Sequence, residues 1–190
     1  MASADEIKVK GNTFLSVLKS LAAWKGDDAA ERVKAALGGE VGEALRLGTL
    51  MATSWYPVSW YRSLYQAILD VVGGGEDTVR HLGRASTAVD MNGAYRLLMK
   101  VLSVERVFSQ SARMLSQYYS GVQCQVVESA PGLARVRYRG FTGFNRLLWV
   151  ELMASAEMVM EAAGARKVVQ NVLRGGTDGS ADMDLELRWS

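Results

Sequence analysis

Near residue 120 the apolar pattern of this chain changes period, and that change constrains the fold more than any other feature. Upstream, apolar side chains recur at every third or fourth position; downstream, "VQCQVVES" (122–129), "LARVRYRG" (133–140), "ARKVVQNVL" (165–173) and "ADMDLELRW" (181–189) read as strands. The first spacing gathers apolar groups on one face of a helix, the second on one face of a strand. Ala130-Pro131-Gly132 links the first two strands and "RGGTDGS" the last two, and both links have turn-forming residues, so each pair reads as a β-hairpin. Between the hairpins, Phe144 to Ala163 is rich in Leu and Met and reads as a long helix. The expected class is α+β: a mostly helical part (1–119), then hairpin, helix and hairpin (120–190) forming a four-stranded antiparallel sheet covered on one face. With 190 residues and no long linker, one domain spanning 1–190 is expected.

The helical half divides at its glycines and caps. Phe14, Val17, Leu18 and Leu21 mark a helix over 12–24 that ends at Gly26. Asp28 and Glu31 stand at capping-box spacing before a second helix that runs to Gly38-Gly39. A third is expected from Val41 to about Thr53. Pro57 suits the first turn of a fourth, whose stripe of Trp60, Tyr61, Leu64, Ile68 and Val72 stops at three glycines, 73–75. A fifth starts at Glu76 and Asp77, passes Val79, Leu82 and Val89, breaks at Asn92-Gly93 and resumes to Val101. A sixth covers Ser103 to Tyr119.

Composition excludes more functions than it supports. The net charge is +2, too weak a field to argue for nucleic acid or an anionic membrane. No run of roughly 18 apolar residues exists to span a bilayer, and the N-terminus lacks a signal-peptide core. Cys124 is the single cysteine and His81 the single histidine, so disulfides, thiolate metal clusters and histidine-based metal clusters are excluded. A cytoplasmic protein with no cofactor or metal is expected, and not an enzyme, because the acid–base groups of common catalysis are scarce. "GGGEDT" (73–78) lacks the Lys-Ser/Thr of a phosphate loop and reads as a helix end. The aromatic and Met-rich stretches can instead line a pocket for an apolar small molecule or lipid, with Trp60, Tyr61, Tyr138, Trp149 and Met153 as its candidate residues.

The second strand carries Arg135, Arg137 and Arg139 on one face, and the last strand carries Asp182, Asp184 and Glu186 on one face. If the two are neighbours, the basic and acidic rows meet as cross-strand pairs worth roughly 0.2–1 kcal/mol each. Otherwise the arginines form an open strip able to grip an acidic partner through bidentate hydrogen bonds.

Several strings add a resemblance. "IKVKGNTFLSVLKSLAAWKGDDAAERVKAALGG", "SWYPVSWYRSLYQAI", "TVRHLGRAS", "VFSQSARMLSQYYSG" and "LELRW" resemble a myxobacterial family of many paralogues. In their order of elements they are more distantly similar to the haem nitric-oxide/oxygen-binding (H-NOX) domains and the 4-vinyl-reductase-type ligand domains. The haem-binding relatives hold iron through a histidine on the helix after the "LGR" segment, and hold the propionates through Tyr-x-Ser-x-Arg. Here the matching helix, around "AYRLLMKVLSVERVF", has no histidine, and Tyr138 is followed at the other two positions by Gly140 and Thr142. The cysteines typical of the 4-vinyl-reductase type are reduced to Cys124. The resemblance therefore implies a haem-less regulatory or protein-interaction module. With no effector domain attached, it would act on a protein partner or as a homo-oligomer.

Overall fold

The computed structural model of the chain describes residues 7–91 and 103–190. Its elements are β1 (Lys8–Lys10), α1 (Gly11–Lys25), α2 (Asp27–Ala36), α3 (Gly39–Arg46), β2 (Trp55–Pro57), α4 (Val58–Val72), α5 (Gly75–Asp90), α6 (Val104–Leu115), β3 (Gln123–Ala130), β4 (Leu133–Arg139), α7 (Arg146–Ala162), β5 (Val169–Gly175) and β6 (Met183–Arg188). The α+β class, the two hairpins and the long helix between them are as expected. The expected break at Asn92-Gly93 and the continuation to Val101 lie outside the described residues.

The helical half differs in detail. α2 starts at Asp27 with no side-chain cap, because Gly26 at φ +90° turns the chain directly from α1 into α2. Asp28 and Glu31 pair instead with Arg32 and Lys34, one turn on. α3 stops at Arg46 rather than near Thr53, since residues 52–54 lead into β2, a strand that the sequence pattern does not reveal. β2 pairs antiparallel with β1 through Val9↔Tyr56. Pro57 ends that strand and sits just before α4, where its missing N–H costs nothing. Gly73 caps α4 through its N–H to the Leu69 carbonyl, and Thr78 Oγ1 donates to the Gly73 carbonyl at 2.7 Å, so the triple glycine is a helix-to-helix junction.

The large sheet has the order β3-β4-β6-β5, antiparallel throughout. Its inner face presents Ala134, Val136 and Tyr138 from β4 and Met183, Leu185 and Leu187 from β6, all buried. α7 closes that face. Trp149 meets Tyr138 edge-on at 6.5 Å, and Gln170 Nε2 donates to the Met153 carbonyl at 2.8 Å. On its other side α7 runs along α5, and α5 along α1. Gly83 makes the α5–α7 approach possible: a Cβ there would lie 2.9 Å from the Glu151 carbonyl oxygen. Residues 148–154 of α7 are buried all round, as a central helix requires.

Candidate functional site

One member of that buried run is charged. Glu151 is 4% exposed and lies between three helices and the segment after α6. Its Oε1 accepts from Ser155 Oγ at 3.2 Å and, at a long 3.5 Å, from Tyr61 Oη of α4; its Oε2 accepts from Tyr119 Oη at 3.2 Å. No cation answers it among the described residues. Burial therefore lifts its carboxyl from 4.5 to about 7, although the three hydroxyl donors pull the other way. The same burial, with Glu151 nearby, holds the Tyr61, Tyr65 and Tyr119 phenols well above their ordinary value.

Glu151 opens onto a cavity of about 140 Å³. One wall comes from α1, α5 and α7 and carries Thr13, Ser86, Asp90, Glu151 and Ser155; the other comes from α6, β3 and β4 and carries Val107, Phe108, Cys124, Val136 and Tyr138. The lining is mostly apolar, and among the described residues it holds no lysine, arginine or histidine. Asp90, at the end of α5, accepts a 2.5 Å hydrogen bond from Ser16, and burial raises its carboxyl. Thr13 Oγ1 is buried with no hydrogen-bond partner among the described residues. Cys124 Sγ donates to Ser111 Oγ at 3.5 Å, and burial keeps its thiol protonated at neutral pH.

The residues singled out in the sequence are dispersed. Tyr138 lines the cavity, and Tyr61 reaches it only through Glu151. Trp149 and Met153 are buried outside the lining, Trp149 donating from Nε1 to the Ser180 carbonyl at 3.3 Å, while Trp60 stacks on Tyr56 at 5.2 Å. His81 is exposed on α5 and lies 4.1 Å from the Trp24 ring. Glu151 escaped the sequence reading although its signal was present: it is the one charge inside "LLWVELMASA", a string with an otherwise apolar surround.

The arginines face outward. β4 and β6 are neighbours, with Arg135 opposite Glu186 and Arg137 opposite Asp184. Arg135 binds Glu186 at 2.9 Å and Glu128 at 2.8 Å. Arg139 reaches diagonally to Asp184 at 2.5 Å, and Asp182 lies 3.9 Å from it. Arg137 is left exposed and without an ion pair among the described residues.

Comparison with solved structures places this arrangement. An H-NOX protein mutant from K. algicida, in the Fe(II) unliganded state, superposes with a TM-score of 0.71 over 95% of this chain and 96% of its own, at 11% identity. The chain has the H-NOX fold. An oxygen-binding H-NOX domain related to soluble guanylate cyclases, in its oxygen complex, gives 0.67 at 11% identity over 95% of each chain, and a mutant H-NOX from T. Tengcongensis gives 0.66 at 12% over 95% of this chain and 97% of its own. No family model matches the chain, and no curated protein matches it in sequence. The expected distant likeness to H-NOX domains is thus a likeness of fold, carried by packing at very low sequence identity. Among the described residues no helix is long and apolar enough to cross a membrane.

Proposed function

We propose that this chain is a non-enzymatic regulatory module that binds a small, largely apolar molecule on a haem-less H-NOX scaffold. The observation that carries the reading is the mostly apolar cavity with a buried carboxyl in its wall. An unfilled space of this kind costs stability, and a buried carboxyl without a cation costs more, so both are better explained by an occupant than by folding.

The residues do not fit a haem. His81, the chain's single histidine, is exposed against Trp24, away from the cavity. The described lining offers no cation to meet a propionate, and two carboxyl groups would oppose it. A space of 140 Å³ suits a benzene-sized molecule, and a porphyrin is several times larger.

The loop after α3 supports the partner side of the proposal. Leu47 and Met51 are 68% and 61% exposed, with Trp55 beside them in sequence, which is the kind of apolar surface that meets another protein. Occupancy would be read there by a protein partner or a second copy, in the cytoplasm.

Native mass spectrometry of the protein purified from cells tests the binding reading. A retained small-molecule mass, absent from an Ala156→Phe variant that fills the cavity, supports it. An apo mass for both, with no added compound raising the melting temperature, overturns it.

A further inference from the structure

The cavity's polar groups specify what its occupant must offer. Glu151 and Asp90 are both acceptors when ionised, and both line the space. Asp90 uses Oδ1 for Ser16, and Oδ2 has no partner among the described residues. Thr13 of α1 also lines the space, but its Oγ1 is closed off from it and has no hydrogen-bond partner among the described residues. Nothing in the described lining supplies a positive charge. Buried carboxyl groups without a cation are rare because the charged form loses its hydration. The opposite wall, with Val107, Phe108 and Val136, is hydrocarbon.

Building on the small-molecule reading, we infer that the cavity selects a compact organic ammonium ion, its nitrogen toward Asp90 and Glu151 and its hydrocarbon body against Val107, Phe108 and Val136. An ammonium supplies up to three donors, and Asp90 Oδ2 with the remaining lone pair of the Glu151 carboxylate can accept from it. A benzene-sized body matches the volume. A phosphate, a carboxylate or a porphyrin would meet two carboxyl groups of like charge. Glu151 ionises as the cation enters, so binding near neutral pH releases protons. The groups facing it are Tyr61 and Tyr65 of α4, Asp90 of α5, Tyr119 after α6 and Ser155 of α7 itself, and of these only Asp90 is a second carboxyl, which burial also raises.

Calorimetric titration of the full chain with benzylammonium, benzyl alcohol and toluene at pH 7, in buffers of different protonation enthalpy, tests this. Benzylammonium is expected to bind at least tenfold more tightly than either neutral probe and to release protons. Glu151→Gln and Asp90→Asn should each remove most of that preference while toluene binding stays the same. Toluene or benzyl alcohol binding as well as the amine would overturn the cation inference and leave the small-molecule reading standing. Absence of binding by all three probes would overturn both.

Discussion

Gly83 and Glu151 touch through backbone: the hydrogen that stands in place of a side chain on Gly83 is what lets α5 lie against the Glu151 carbonyl, 2.9 Å from where a Cβ would be. Ser155 Oγ binds both neighbours, the Gly83 carbonyl and the Glu151 carboxyl, each at 3.2 Å. The helix crossing and the buried carboxyl are therefore one construction. Gly83→Ala reverses the usual helix rule. In an exposed helix it would stabilise by roughly 1 kcal/mol, but here the methyl forces α5 from α7 and is expected to cost about 1–3 kcal/mol, read from urea unfolding.

Glu151 makes stability depend on pH in the sense opposite to most carboxyl groups. Its folded value, about 7, lies above the ordinary 4.5, so between those values the folded state holds a proton that the unfolded chain has lost. Its contribution is fully present below about 4.5, falls as pH rises through 7, and is flat above. At about 1.4 kcal/mol per unit the whole loss is on the order of 3–4 kcal/mol. Glu151→Gln should flatten this decline and be the more stable protein at pH 8. A wild-type unfolding free energy that rises between pH 5 and 7.5 in step with the variant's would contradict the assignment.

Glu76 behaves in the usual way. Arg146 binds it at 2.7 and 3.0 Å, tying the start of α5 to the start of α7, and the guanidinium's hydrogen bonds hold the Glu76 carboxyl below its ordinary value. The stability it adds is present above about 4.5 and is lost as pH falls through the lower folded value. Glu76→Gln should reduce stability at pH 7 and leave it unchanged at pH 2, in paired thermal melts.

Thr13→Val should raise the stability of the empty protein by about 1 kcal/mol, because it removes a buried hydroxyl that has no partner and keeps the shape. A destabilised variant would mean that the hydroxyl is satisfied in solution.

On the outer sheet face the three arginines should separate. Arg135→Ala and Arg139→Ala each break ion pairs, and Glu186, with its side chain only 10% exposed, depends on Arg135 and Arg188. Arg137→Ala should leave the urea midpoint where it is, whereas Arg135→Ala lowers it.

The period of the apolar residues determined the longer elements by itself. "LARVRYRG" and "ADMDLELRW" alternate, so their faces were legible before any packing was known, and the structure pairs them as the charge rows suggested. Helix periodicity likewise located α1, α4, α5 and α7, because spacing within one element is local. It could not show which elements oppose each other. β1 and β2 are three residues each, too short for a period, and exist only because they find one another across 45 residues. Arg139 takes the carboxylate opposite Arg137 because its side chain reaches diagonally, a matter of side-chain length and twist rather than register. The site is the clearest case. Thr13, Asp90, Tyr119 and Glu151 are far apart in the chain, and the cavity they share is a gap left between elements. A sequence says which residues turn inward; only the tertiary structure decides where inward-facing side chains fail to meet.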